Sequence, residues 1–313
     1  MFLISVIVPC FNEENAIFDF YEETTHILDN FSNNEINYEF IFVDDGSSDN
    51  TLSNIKTLSK QDNNVKFISF SRNFGKESAL YAGLVNSSGD YVVIMDVDLQ
   101  DPPSLLPEMI SILEDSDFDC VATRRVSRKG EPIIRSFFAR LFYKLMSFSD
   151  VDLVDGARDY RMMKRQVVNS VLELNEYNRF SKGIFQWVGF KNKWLEYENI
   201  ERINGETSWS FWSLFKYSIE AIVAFTTLPL SISTFMGILC SIISFILIGV
   251  VVFKNLVFGD AVQGWTSLIC VILLLGGIQL LSIGILGKYL EKTYIETKKR
   301  PIYLVKEKNF KSN

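Results

Sequence analysis

Histidine is almost absent from this chain of 313 residues. The only one, His26, falls in a stretch patterned as a helix and away from every cluster of acids, so catalysis by imidazole is not expected. Cysteine is sparse too. Cys10, Cys120, Cys240 and Cys270 form no Cys-x-x-Cys or Cys/His spacing and lie beside or within apolar runs, which reads as small buried hydrophobes in a reducing compartment. No Gly-x-Gly-x-x-Gly follows the first apolar run, which counts against a dinucleotide-binding fold. A basic stripe is missing as well: 38 acidic side chains outnumber 31 basic ones, and a net charge of −7 argues against a nucleic-acid partner held by phosphate neutralisation.

What the chain has in quantity is apolar mass. A hydrophobic content of 48% with 14% aromatics excludes disorder for most of it and is ample for one large or two modest domains. Its first part alternates strand and helix patterns: Phe2 to Val8, Glu13 to Asp29, Tyr38 to Val43, Thr51 to Ser59, Val65 to Phe70, Glu77 to Asn86, Tyr91 to Met95 and Ser104 to Glu114. Alternation at this spacing predicts an α/β fold with a mostly parallel sheet covered by helices on both faces. Met1 to Val8 lacks a basic flank and runs into Pro9 and polar residues, so it is read as the first strand rather than a signal peptide.

Chemistry concentrates where these strands stop. The apolar run Tyr91 to Met95 ends in Asp96-Val97-Asp98-Leu99-Gln100-Asp101 before Pro102-Pro103. Three carboxylates at the end of a buried strand repel one another unless a cation or water satisfies them, and oxygen donors of this kind suit Mg²⁺ or Mn²⁺. Asp96, Asp98 and Gln100 are the candidate metal ligands. A second strand ends at Asp44-Asp45-Gly46-Ser47, and the first ends at Pro9-Cys10-Phe11-Asn12-Glu13. In open α/β sheets ligands bind beyond the carboxyl ends of the strands, so the three ends are expected to converge on one site.

Val8-Pro9-Cys10-Phe11-Asn12-Glu13, Val43-Asp44-Asp45-Gly46-Ser47, Arg72-Asn73-Phe74-Gly75-Lys76 and Asp96-Val97-Asp98-Leu99-Gln100-Asp101, in that order, resemble the family 2 glycosyltransferases of the GT-A fold. The resemblance is nearest to the polyprenyl-phosphate glycosyltransferases, the group of the bactoprenol glucosyltransferases and dolichol-phosphate mannose synthases. It implies nucleotide contacts at Pro9, Phe11, Glu13, Asp44, Asp45, Lys76, Asp96 and Val97, with Phe11 and Asp45 at the base and Asp44 supporting that pocket. Asp159-Tyr160-Arg161-Met162 is similar to the family's Asp-Phe-Arg-Leu signature with two conservative departures, which implies that Asp159 stands near the reacting centre alongside Asp98. Taken by itself, the same Asp and Arg could merely shape a turn.

Between Cys120 and that signature lies a basic stretch containing Arg124, Arg128 and Arg135, and guanidinium groups suit phosphate oxygens. The resemblance implies that this stretch holds a lipid phosphate. Glu201-Arg202-Ile203-Asn204-Gly205-Glu206-Thr207-Ser208 is similar to a Glu-Arg-x-x-Gly-x-Ser-Lys stretch in which the arginine meets phosphate. Ser208 stands where the family has lysine, which leaves Arg202 as the candidate.

Trp209 to Leu228 interleaves aromatics with Lys216 and Glu220, a pattern expected of an amphipathic interfacial helix. Leu230 to Phe253 and Ser267 to Leu286 carry no charged side chain, and each is long enough for a hydrocarbon core of roughly 30 Å. The connection between them holds one lysine and one aspartate, whereas Lys288, Lys292, Lys298, Lys299, Arg300, Lys306, Lys308 and Lys311 follow the second run. Positive residues favour the cytoplasmic face, so both termini are expected there. The expected organisation is a catalytic domain over 1–207, an interfacial helix over 208–228, two transmembrane helices over 229–287 and a basic tail over 288–313.

The expected activity is inverting, metal-dependent transfer of a sugar from UDP-glucose or UDP-N-acetylglucosamine, less favourably a GDP-sugar, to polyprenyl phosphate for cell-envelope glycosylation. Self-association is left open. One alternative is a processive polysaccharide synthase, although Gln186-Trp187 lacks the Gln-x-x-Arg-Trp spacing and two spans are few for a polymer channel. Another is a non-catalytic scaffold or lipid-carrier translocation subunit, which would have no need of crowded acids.

Overall fold

The first strand, β1 (Phe2–Cys10), shows why the sheet is covered on both faces. Ile4, Val6, Val8 and Cys10 enter one core layer and Ile7 the other, the two-residue period of a strand, and all five are buried. The computed structural model describes residues 2–31, 36–125, 154, 156–197, 222–223, 225–258 and 264–311. After β1 come α1 (Ile17–Phe31), β2 (Ile36–Asp44), α2 (Thr51–Gln61), β3 (Val65–Phe70), α3 (Lys76–Asn86), β4 (Tyr91–Ile94), a single 3₁₀ turn and α4 (Leu106–Asp115). Then follow β5 (Cys120–Arg125), β6 (Ala157–Lys164), α5 (Arg165–Glu173), α6 (Ser181–Trp187), β7 (Asn192–Tyr197), α7 (Leu228–Phe258), α8 (Trp265–Thr297) and β8 (Val305–Lys308).

The eight strands lie in the order β7-β5-β6-β4-β1-β2-β3-β8. β4, β1, β2 and β3 are mutually parallel, as the alternation predicts. The sheet as a whole is mixed, because β6 runs antiparallel to both β4 and β5, and β8 antiparallel to β3. Apolar residues of α1, α2 and α4 pack on one face, and those of α3, α5 and α6 on the other. The first helix begins at Ile17 rather than at Glu13. Its expected first turn is spent elsewhere: Asn12 is left-handed (φ 55°), and the amides of Glu13 and Glu14 donate to Thr51 and Asp49.

Within α7 and α8, Leu228–Phe253 and Val271–Thr297 are long and apolar enough to cross a membrane, with mean hydropathies of 2.8 and 2.0. The second helix runs well past the expected Leu286, and its last turns dock on the α/β core. Glu296 accepts the amides of Tyr177 (3.0 Å) and Asn178 (3.2 Å), and Lys292 donates to the Asn178 side chain at 2.9 Å. The expected interfacial helix over 208–228 lies almost wholly outside the described residues.

The basic stretch after α8 returns to the sheet instead of trailing from it. β8 pairs with β3, the Ser71 amide donates to the Leu304 carbonyl (3.0 Å), and Asn309 bonds both the amide of Phe67 and the carbonyl of Val65. Tyr303 stacks on Phe70 with ring centroids 4.9 Å apart. A strand so paired must lie on the same side of any bilayer as the α/β core, which two spans permit and one would not. Tyr303→Ala removes this aromatic staple and is expected to cost about 2 kcal/mol, since the ring is only partly buried. Thermal unfolding of the solubilised protein should show a midpoint lower by about 4–8 °C. An unchanged midpoint would mean that the stretch contributes nothing to the fold.

Candidate active site

Because β4, β1 and β2 are adjacent and parallel, their carboxyl ends open on one edge of the sheet. The loops after β1 and β2 are sewn together there. The Asn12 amide donates to Ser47 Oγ (3.0 Å), and Asn12 Oδ1 accepts the amide of Ser48 (2.9 Å). Phe11 stays 45% exposed at the rim, an uncovered aromatic face of the kind a flat base can stack on. Pro9 lies within β1 opposite Val43, and Glu13 caps the seam through its bond to Thr51.

Asp44 and Asp45 are both buried and both occupied by the protein itself. Asp44 accepts from the Ser47 amide (3.0 Å) and from Ser69 Oγ (2.7 Å). Asp45 accepts from the amides of Phe74 (2.6 Å) and Gly75 (2.9 Å). Burial pushes the Asp45 carboxyl up, against the pull of those two amides. Its carboxylate thus fixes the loop that delivers Lys76. Gly46 is required at this crossing: its φ is +72°, and a Cβ there would stand 2.5 Å from the carbonyl carbon of Arg72.

The acid string after β4 is divided rather than crowded. Ile94 of β4 pairs with Arg161 of antiparallel β6, so Asp96, two residues after Ile94, comes opposite Asp159, two residues before Arg161. The Lys76 ammonium lies between them, 2.7 Å from Asp96 and 2.8 Å from Asp159. Asp98 turns back on itself and accepts the Gln100 amide at 3.2 Å, around a left-handed Leu99 (φ 56°) whose side chain is buried. Asp101 faces inward, 1% exposed, where Arg158 (3.2 Å) and the hydroxyl of Tyr197 hold it. Arg158 also reaches the Gln100 side-chain oxygen at 3.4 Å. Val97 is in the core, so a ligand can meet only its backbone.

Electrostatics follow from this wiring. Burial opposes ionisation of Asp159, but Lys76, Lys182 and Arg161 together hold its carboxyl well below the usual carboxylate range. Burial likewise opposes the charge on Lys76, and the carboxylates of Asp159 and Asp96 outweigh it, holding the ammonium above the usual lysine range. At neutral pH the site therefore holds an ionised Asp159 and a charged Lys76.

The donors fit a divalent cation in kind. Asp96, Asp98 and Gln100 offer hard oxygens from a single turn, and the thiol of Cys10 at the end of β1 is buried against the Val8 carbonyl. Among the described residues no three His, Cys, Asp or Glu side chains gather into a protein cage. Mg²⁺ and Mn²⁺ commonly take one or two carboxylates and complete their shell with water and phosphate oxygens.

Of the expected phosphate-binding arginines, Arg124 is at the end of β5 and pairs through Nε (3.0 Å) and Nη2 with Glu196 of β7. Arg128, Arg135 and Arg202 lie outside the described residues. Sequence reasoning missed Arg158, Glu77, Ser181, Lys182 and Tyr197. Arg158 and Glu77 could have been suspected from their places beside Asp159 and Lys76, but Ser181, Lys182 and Tyr197 come from distant elements and carry no local signal.

Residues 5–172 match the family described as "Glycosyl transferase family 2". The chain is 45% identical over 308 residues to CsbB of Bacillus subtilis (strain 168), which carries the name of a glycosyltransferase, covering 98% of this chain and 92% of that one. It is 41% identical over 304 residues to the prophage bactoprenol glucosyl transferase homolog of Escherichia coli (strain K12), covering 97% and 98%. Among solved structures, glucosyl-3-phosphoglycerate synthase from Mycobacterium tuberculosis in complex with Mn²⁺, UDP and phosphoglyceric acid aligns at 21% identity with a TM-score of 0.46, over 71% of this chain and 76% of that one.

Proposed function

The chain belongs to glycosyl transferase family 2, and from that premise we propose that it moves one sugar from a UDP-sugar to a polyprenyl phosphate at the cytoplasmic face of a membrane. The observation that carries this reading is the Asp96–Lys76–Asp159 bridge at the strand ends, in a core whose edge strand is supplied by the chain leaving a membrane-length helix. A water-soluble donor and a lipid-borne acceptor can meet in such a molecule. UDP-glucose is the favoured donor because relatives 40–41% identical bear the name bactoprenol glucosyl transferase, with UDP-N-acetylglucosamine next.

The acceptor phosphate oxygen attacks the anomeric carbon, the bond from that carbon to the β-phosphate oxygen breaks, and the nucleoside diphosphate leaves with the electron pair. Displacement from the opposite face inverts the anomeric centre. Asp98, with Asp96 and Gln100, would hold the divalent cation, which when bound neutralises charge on the leaving diphosphate. Phe11 offers its face to the base, while Asp44 and Asp45 keep the surrounding loops in register. A phosphate monoester has its second pKa near about 6 and is largely dianionic at neutral pH, so it needs no strong base. Asp159, whose carboxyl is held far below neutrality, would be a poor one. Its role here is to orient Lys76 and the reacting groups.

The full-length protein, incubated with polyprenyl phosphate, Mn²⁺ or Mg²⁺ and labelled UDP-glucose, UDP-N-acetylglucosamine or GDP-mannose in parallel, should form one labelled lipid carrying a single sugar from a UDP donor. Absence of labelled lipid with every donor rejects the proposal. A polymeric product would replace it with processive synthesis.

A further inference from the structure

Resting on that reading, we propose that Lys182 binds a phosphate oxygen at the reacting centre, as a cation separate from the arginines of the basic stretch. Two contacts place it. The residue before it, Ser181, donates from both its amide (2.9 Å) and its hydroxyl to Glu77 Oε2, and Glu77 directly follows Lys76. One turn along the same face of α6, Phe185 lies under the Arg161 guanidinium, 4.1 Å from its ring centre. Lys182 sits between these two contacts, and the charges acting on it are those of Asp159, Lys76, Arg158 and Arg161.

Two of its cationic neighbours are already engaged. Lys76 already spans Asp96 and Asp159, and Arg158 is paired with Asp101. Among the described residues Lys182 makes no hydrogen bond or ion pair, and Arg161, 1% exposed, leaves Nε and Nη1 without partners while Nη2 bonds the Arg158 carbonyl. Burial and Asp159 push the Glu77 carboxyl up, and its Oε2 is taken by the amide and hydroxyl of Ser181. Burial and the neighbouring Lys76, Arg158 and Arg161 press Lys182 below the usual lysine range, against the pull of Asp159. Keeping unpaired cations this close together is costly unless an anion completes the set. A phosphate oxygen arriving beside Asp159 does so, and a compact ammonium on a flexible stem can follow it through the displacement. Two phosphates come to this centre: the donor's β-phosphate and the acceptor's monoester.

Lys182→Met and Lys182→Arg in the full-length protein separate the possibilities. Losing one charge-assisted contact should raise the KM for either the nucleotide sugar or the polyprenyl phosphate by about tenfold, leaving the other unchanged, while arginine keeps it within about threefold of the parent. A shift confined to the nucleotide sugar, with weaker UDP binding, identifies the donor phosphate. One confined to the lipid identifies the acceptor. Unchanged KM values for both substrates in Lys182→Met overturn the inference, whatever happens to kcat. Should Lys182→Met fail to fold, Lys182→Gln takes its place under the same criteria. Equilibrium binding of inorganic pyrophosphate provides a readout without turnover: if the parent makes no glycolipid yet Lys182→Met binds pyrophosphate about tenfold more weakly, the proposed reaction falls and the phosphate site stands. Equal pyrophosphate binding in that circumstance removes both.

Discussion

Asp98→Asn is expected to reduce sugar transfer by at least about a hundredfold while folding and membrane insertion stay intact. Asparagine keeps a side-chain oxygen that can accept the Gln100 amide, so the left-handed turn at Leu99 has no reason to collapse. What disappears is the negative charge proposed to hold a divalent cation against a diphosphate. A bound metal contributes several kcal/mol of charge stabilisation in the transition state, and each ~1.4 kcal/mol is tenfold in rate. The turnover number should fall, and added Mn²⁺ should restore it only in part. An unchanged thermal midpoint and unchanged extraction from membranes would show that the loss is chemical. Full activity in the variant would remove Asp98 from the metal site.

Lys76→Met should damage activity and stability together. It leaves Asp96, just beyond the end of β4, and Asp159 of β6 with no lysine between them. In the parent protein the depressed carboxyl of Asp159 adds stability above the unfolded value near about 4, lost only as pH falls through the lower folded value. The raised Lys76 adds stability below the ordinary lysine range, lost only as pH rises through its higher folded value. Neither group titrates near neutrality, so this bridge makes parent stability flat there. Without the ammonium only Lys182 and Arg161 oppose burial at Asp159, so its carboxyl moves up and part of the stability that its depressed value adds above the unfolded value is lost. The parent should therefore exceed the variant by more at pH 7 than at pH 3, because that contribution shrinks as pH falls below the unfolded value. The expected loss at neutral pH is about 2 kcal/mol, less than the ~3–5 of a fully buried pair because the Lys76 side chain is 39% exposed. Transfer should drop by more than about a hundredfold, because Asp159 loses the contact that aims it. Denaturant unfolding at the two pH values, beside kcat, checks both parts. A pH-independent difference from the parent would show that the bridge is not what orders these acids.

The parallel half of the sheet was legible because its strands are apolar runs of short period ending in turn residues and acids, alternating with helices, although β4 pairs with β1 rather than with β3, the strand before it. Phe40 and Phe42 on one face, with Ile41 and Val43 on the other, are a pattern no helix would produce. β6 and β8 were not legible. β6 enters the sheet between β4 and β5 from a segment read only as a signature, and β8 comes from a stretch rich in lysine that composition marks as solvated. Pairing across the chain, not local propensity, makes them strands.

The acids were equally visible in sequence, but their partners were not. Asp96, Asp98 and Asp101 read as one cluster because they are close in the chain. In space Asp96 belongs with Lys76 and Asp159, Asp101 with Arg158 and Tyr197, and Asp98 with its own turn.

By itself the sequence determined the alternating α/β core, the membrane-length helices and the family, since each is written in local periodicity or in ordered motifs. Only the tertiary structure decided which charge neutralises which, that Lys182 and Arg161 are left over beside Asp159, and that the chain's last strand closes the sheet it began. Those are properties of groups distant in the chain, and a side chain's charge becomes chemistry only when burial and its actual neighbours say what it must balance.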